Sequence, residues 1–199
     1  MFDRVTIRVS DLEASAAFYD LALGVLGPRS DFSIEAATGP DSVTRRLNIG
    51  FAAASPALVD RFWEAGTAAG YPSDGEPGPR PQYRDDYYGS FLLDPDGNSV
   101  EAVHHGGMRT EGRIDHLWLR VADLEASKGF YETVAARAGF GLVADLPDRV
   151  RFSGGEGSFT LVAGPPTQHL QMVLWGEGEA AAVLDPDGNS VELIGRGKD

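Results

Sequence analysis

The stretch LDPDGNSVE occurs twice in this chain, closing once on Glu101 and again on Glu192. Each copy reads as a strand end, a tight turn on Pro-Asp-Gly-Asn and a returning strand that carries the carboxylate. A carboxylate held in this way can act as a base or ligate a divalent ion. The chain has no cysteine, which removes disulfides, thiolate zinc sites and cysteine nucleophiles together, so any metal must be held by His, carboxylate or amide. The acidic turn does not read as a calcium loop, because an EF-hand needs Gly at its sixth position and Glu at its twelfth, whereas Gly97 is fourth. No Ser/His/Asp arrangement and no phosphate-binding glycine loop offers a rival chemistry.

Trp118 stands two residues after His116, and Tyr83, Tyr87, Tyr88 and Trp175 are further rings that could stack on a planar ligand. Aromatic residues in strands and loops more often pack a core. His104 and His105 follow Glu101 closely and read as an exposed pair at a strand end or as support for the carboxylate.

The elements that must position these residues come from a duplication. FDRVTIRVSDLEASAAFY, starting at Phe2, matches IDHLWLRVADLEASKGFY, starting at Ile114, at most positions. Each copy opens with an alternating strand, Val5, Ile7 and Val9 against Arg4, Thr6 and Arg8, then Leu117, Leu119 and Val121 against His116, Trp118 and Arg120. A helix follows at once, with Asp11 or Asp123 able to cap it and Ser10 with Glu13 spelling a capping box. In the first copy, the strand LNIGFAA precedes a second helix, SPALVDRFWEAGTAAG, with Ser55 at the cap, Pro56 at the first helical position and Gly70 at the end. The first copy is therefore itself two units of strand, helix and strands. In the second copy LQMVLW runs through GEGEAAA almost straight into the repeated turn, so the last unit lacks its helix. The uncovered face then needs cover from the first copy or from another chain, as in a homodimer.

The balance of 17 Lys plus Arg against 30 Asp plus Glu gives a formal charge of -13, which argues against nucleic acid and anionic membrane surfaces as partners. The N-terminus enters a strand without a basic and then apolar leader, and no apolar run approaches membrane-spanning length, so the chain reads as soluble and cytoplasmic.

Together the two strand-helix motifs, NIGFAAASPALVDRFWEAG, GPRPQYRDDYYGSFLLDPDGNSVEAVHH and the second LDPDGNSVELI resemble the vicinal oxygen chelate superfamily, which includes glyoxalase I, bleomycin-resistance and fosfomycin-resistance proteins and extradiol dioxygenases. The resemblance covers nearly the whole chain. It implies an α+β fold of repeated βαβββ modules that pair into cupped mixed sheets, with one glyoxalase-like domain over residues 1–107 and a second over 108–199.

In the metal-dependent members the cup holds a divalent ion, typically on His and Glu, with Gln in some. Carried over position by position, the resemblance implies Arg4, Asn48 and Glu101 in the first half and His116, Gln171 and Glu192 in the second. His169, two residues before Gln171, is an alternative third ligand. His116, Glu192 and His169 or Gln171 would then hold Ni, Fe, Mn, Co or Zn, which polarises a carbonyl or chelates vicinal oxygens, and Glu192 could alternatively act as base. In the first half Arg4 would replace the charge of a metal opposite Glu101, and Arg4, Asn48, Glu101 and Trp118 would contact substrate. Modules of this family pair within a half or across halves; crossed pairing would set His116 beside Asn48 and Glu101, and Arg4 beside Glu192. The sequence leaves both open. Three functions follow: a metal-dependent enzyme of the glyoxalase or dioxygenase kind, a metal-free protein sequestering an aromatic or cationic small molecule, or an assembly module.

Overall fold

A computed structural model describes residues 2–27, 31–106, 113–155, 157–177 and 181–195. The expected boundary between residues 107 and 108 lies outside the described residues. In chain order the elements are β1 (Phe2–Val9), α1 (Leu12–Gly24), β2 (Phe32–Ala36), β3 (Leu47–Ala52), α2 (Pro56–Ala68), β4 (Ser73–Pro79), β5 (Tyr88–Leu93), β6 (Ser99–His104), β7 (Ile114–Val121), α3 (Leu124–Ala138), β8 (Phe140–Leu146), β9 (Arg149–Gly154), β10 (Gly157–Ala163), β11 (Gln171–Gly176), β12 (Ala181–Leu184) and β13 (Ser190–Gly195).

The strands form an eight-stranded sheet, β4-β5-β6-β3-β7-β10-β9-β8, and a five-stranded sheet, β12-β13-β11-β1-β2. Both sheets draw strands from both halves of the chain. The larger is centred on the antiparallel pair β3 and β7, and the smaller on the antiparallel pair β1 and β11. The larger sheet contains two full βαβββ modules, β3-α2-β4-β5-β6 and β7-α3-β8-β9-β10. The smaller contains what remains. Only four residues separate β11 from β12, which leaves no room for a module helix, as the sequence implies. The first unit is also reduced, against the expectation of several strands after its helix: only β2 follows α1 and pairs in parallel with β1, the relation that β10 has to β7. The reductions therefore fall on one sheet and leave the other whole.

Alternation decides what each strand buries. Val5, Ile7 and Val9 of β1 and Leu117, Leu119 and Val121 of β7 are buried in one apolar cluster with Ile49, Phe51, Phe152 and Phe159. The helices cover it, α2 against β4, β5 and β6, and α3 against β8, β9, β10 and β11. Asp11 and Asp123 cap α1 and α3 by accepting the amide protons of Ala14 and Ala126.

The repeated turn is a structural latch. Asp94 Oδ1 accepts the amides of Asp96 and Asn98, and Asp94 Oδ2 accepts the Tyr19 hydroxyl. Asn98 then accepts the Leu47 amide and donates to the Thr44 carbonyl, which fixes the root of β3. Asp185, Asn189, Tyr131, Leu170 and Thr167 repeat these bonds at the root of β11. Gly97 and Gly188 take φ of 82° and 87° in the two turns, a conformation that favours glycine. The halves also fasten each other: the Thr44 hydroxyl donates to the His169 carbonyl, and the Thr167 hydroxyl donates to the Arg46 carbonyl. Arg46 and His169 share a left-handed φ of 60°, so His169 precedes β11 in a turn rather than extending its face. No helix among the described residues is long and apolar enough to cross a membrane.

Candidate functional site in the eight-stranded sheet

The site begins with an irregularity in β7. Gly50 pairs with His116 and Phe51 with Ile114, which leaves Asp115 as an extra residue on β7. A bulge of this kind breaks strict alternation and re-aims a side chain. Here Asp115 meets the neighbouring ring, with Oδ2 2.9 Å from His116 Nδ1. His116 Nε2 lies 3.0 Å from Glu101 Oε2. Glu101 comes from β6, with β3 between it and β7, so the two backbones are about 10 Å apart. The side chains meet because Gly50 lies between them in the row Glu101, Gly50, His116. A β-carbon on Gly50 would stand 2.3 Å from His116 Cε1.

Further groups close the network. Tyr87 donates its hydroxyl to Glu101 Oε1 at 2.6 Å. Asp115 Oδ1 faces His105 Nε2 at 3.3 Å. The His105 ring stacks on Tyr87, with centroids 5.7 Å apart and planes 19° apart. The loop thus runs from Tyr87 through Glu101, His116, Asp115 and His105 back to Tyr87. Glu101 is 2% exposed and His116 6%.

Burial by itself would lower the His116 pKa, but the Glu101 charge and the hydrogen bonds with Asp115 and Glu101 outweigh it and push it up to about 10. His116 is therefore an imidazolium at neutral pH. For Asp115, burial opposes ionisation, yet bonds to His105 and His116 hold it below the usual carboxylate range. Burial and the Glu101 charge raise Tyr87, so it stays a neutral donor.

Around this network the sheet curls about a cleft of about 710 Å³. One row across its floor carries Phe91, Glu101, Gly50, His116 and Ser158, and the next carries Leu93, Ser99, Asn48, Trp118, Thr160 and Arg151. Tyr83 meets Trp118 edge-on at 6.2 Å and Tyr87 at 5.2 Å, so aromatic rings run along one side.

The structure divides the residues singled out from the sequence. Asn48, Glu101, His116 and Trp118 line the one cleft. Gln171 and Glu192 lie in the smaller sheet, on β11 and β13, away from His116. The set of His116, Gln171, His169 and Glu192 is thus not brought together, because β7 pairs with β3 rather than with β11. Arg4 is likewise separated from Glu101; it lies in the row Arg4, Val173, Glu192. This row mirrors His116, Gly50, Glu101, but Val173 fills the place that Gly50 leaves open. Among the described residues no ion pair joins Arg4 to Glu192. Asp115 and Arg151 were not identified from sequence, and His105, read there as exposed or as support for the carboxylate, supports it through Asp115 and Tyr87. Asp115 is invisible without the bulge, and His105 reaches the site only through it.

Of the positions that the resemblance implies as ligands, the eight-stranded sheet brings together His116, Glu101 and Asn48. Only the first two are strong donors, and they are bonded to each other. Asn48 Oδ1 is a neutral amide oxygen, buried and without a hydrogen-bond partner. Among the described residues no three His, Asp or Glu side chains are placed to hold one ion. The donor set does not fit a resident divalent ion.

No protein-family model matches the chain, and no curated protein matches it. Among solved structures it is similar to glyoxalase I from Zea mays, with a TM-score of 0.67 at 18% identity, covering 98% of this chain and 92% of that one. It is also similar to a putative dioxygenase from Bacillus subtilis, with a TM-score of 0.60 at 12% identity, covering 96% of this chain and 84% of that one. A glyoxalase/bleomycin resistance protein from Albidiferax ferrireducens matches 53% of this chain and 99% of its own at 35% identity, with a TM-score of 0.47. The chain has the fold of the vicinal oxygen chelate superfamily, the glyoxalase/bleomycin resistance/dioxygenase fold.

Proposed function

We propose that the chain binds a small molecule in the cleft of the eight-stranded sheet without a resident metal, using the His116 imidazolium as a buried, charged hydrogen-bond donor. The observation that carries this reading is the 3.0 Å contact between His116 Nε2 and Glu101 Oε2. In a metal centre of this fold both atoms would face the ion; here the imidazolium satisfies the carboxylate. A ligand oxygen arriving beside His116 competes with Glu101 for the ring proton, so the pair can bind an oxyanion or exchange a proton with it. The aromatic side of the cleft supplies stacking for a planar molecule. This fold hosts enzymes and binders alike, so the site rather than the fold must supply the argument.

One feature favours a metal-dependent reading as the runner-up. Asp115 on His116 Nδ1 and Tyr87 on the far oxygen of Glu101 are the kind of contacts that orient metal ligands. Metal content of protein purified without affinity tag or chelator separates the two. The metal-free reading expects far less than one equivalent of Ni, Fe, Mn, Co or Zn, before and after reconstitution. Near-stoichiometric metal that is lost in both His116→Ala and Glu101→Ala and kept in Glu192→Ala would overturn it and place the ion in the crossed cup.

A further inference from the structure

The cleft carries an excess of cationic side chains in a protein whose overall charge is strongly negative. Arg46, Arg84, Arg120 and Arg151 line it against Asp74, Glu101 and Asp115, four against three. The opposing carboxylates are largely taken. Glu101 and Asp115 are bonded to His116. Arg84 is taken as well, by Asp86 at 3.0 Å, and Arg46 donates to the Pro166 carbonyl. Arg120 and Arg151 are different: neither guanidinium has a carboxylate partner among the described residues.

Arg151 is also aimed. From β9 its Nη2 reaches Ser158 Oγ at 3.2 Å. Ser158 is the direct neighbour of His116 across β7 and β10. The guanidinium therefore extends from its own row, beside Thr160, toward the row of the imidazolium. Arg120, two residues beyond Trp118 on the same face of β7, turns its guanidinium toward Gly164 past the end of β10 and so lies apart from this group. A cation without a counter-ion, a serine hydroxyl and the imidazole of His116 thus converge on the side of the cleft where Trp118 stands.

Bringing these positive groups together on a concave wall is electrostatically unfavourable until an anion arrives, and a guanidinium fork matches a carboxylate. We propose that the cleft's ligand is a small planar carboxylate, its anionic group held by Arg151 and Ser158 and its ring against Trp118. This inference rests on the small-molecule reading above and sharpens it. Of the aromatic or cationic small molecule expected from the sequence it keeps the aromatic character and reverses the charge, because the acidity of the chain as a whole is not the character of the cleft.

Calorimetric titration of the full chain with 2-naphthoate, 2-naphthamide and 2-naphthylmethylammonium tests the proposal, because the three probes share a ring and differ in charge. The expected result is that the carboxylate binds at least tenfold more tightly than the other two. Arg151→Met should erase that preference while leaving amide affinity and melting temperature within error. Equal binding of the amide or the ammonium probe, or an Arg151→Met effect shared by all three probes, would overturn the carboxylate assignment and leave small-molecule binding standing. No binding by any probe, or binding unchanged by Trp118→Ala and His116→Asn, would overturn both.

Discussion

Gly50 lies against the imidazole of His116 so closely that a β-carbon at this position would sit 2.3 Å from Cε1 and 2.6 Å from Nδ1. The contact is what lets Glu101, two strands away, reach the ring. At the corresponding place in the smaller sheet stands Val173, between Arg4 and Glu192. The two rows thus share their carboxylate and differ at the other two places, Gly50 against Val173 and His116 against Arg4.

Gly50→Ala should therefore disable the site. The glycine is in ordinary strand conformation, so the methyl group is harmful only through the ring it meets. His116 is boxed in by Glu101 and Asp115 and has little room to give. We expect ligand affinity to fall by more than tenfold and stability to fall by about 1–3 kcal/mol, the range for overpacking. Thermal denaturation and titration with a bound ligand check both. A variant indistinguishable from the parent would show that Gly50 is not a required gap.

The charge state of His116 gives stability a defined pH dependence. Its folded pKa is raised from 6.5 to about 10. Its stabilisation is therefore fully present below about pH 6.5 and is lost as pH rises toward 10. At about 1.4 kcal/mol per unit the upper bound is roughly 5 kcal/mol. Asp115, whose pKa is lowered, contributes in the opposite direction: its share is present above the normal carboxylate range and is lost as pH falls through and below it. Denaturant titrations should show stability declining from pH 7 to pH 10, with the decline much reduced in His116→Asn.

Tyr87→Phe tests whether the ring of contacts holds Glu101 in place. It removes the only hydroxyl bonded to Glu101 Oε1 among the described contacts while keeping the aromatic body stacked on His105. Loss of one bond to a buried carboxylate costs about 1–3 kcal/mol. Chemical denaturation should show a loss in that range, and the His116 pKa should change little, since its two carboxylate partners remain.

The repeated turn should respond to its own bonds and not to calcium. Asn98→Ala leaves the Leu47 amide and the Thr44 carbonyl without their partner at the root of β3. A destabilisation of about 2–4 kcal/mol is expected for two buried groups left unpaired. Addition of calcium or EGTA should leave the melting temperature of the parent protein unchanged, because every carboxylate oxygen of Asp94 is already an acceptor for the turn or for Tyr19.

Much of this molecule is legible in its sequence, for identifiable reasons. Alternation in VTIRV and HLWLRV reports which residues enter the core, since a strand surface has a period of two. Asp11, Asp123, Ser55 and Pro56 mark helix starts through local chemistry. The absence of a helix between Met172 and Asp185 follows from the length of chain alone. The site was harder to read because its defining contacts are long-range. Whether β7 pairs with β3 or with β11 depends on packing between halves of nearly the same sequence, and both pairings were compatible with the pattern. That choice moved His116 from Glu192 to Glu101. The bulge at Asp115 depends on the pairing in turn, so a residue to which the sequence assigned no role became a partner of the imidazole. The loss of the hairpin from the first unit was hidden because a single strand after α1 satisfies the same hydrophobic pattern. Arg151 had no motif at all; only the cup shows where it points.

His116 is paired with Glu101 across the halves of the chain. Titration of the His116 imidazole by NMR, in the parent protein and in Glu101→Gln and Glu192→Gln, tests it most directly. His116 should remain protonated beyond pH 8 in the parent and in Glu192→Gln, and its pKa should fall by at least one unit in Glu101→Gln. A pKa near 6.5 in the parent, or a shift caused by Glu192→Gln and not by Glu101→Gln, would contradict it.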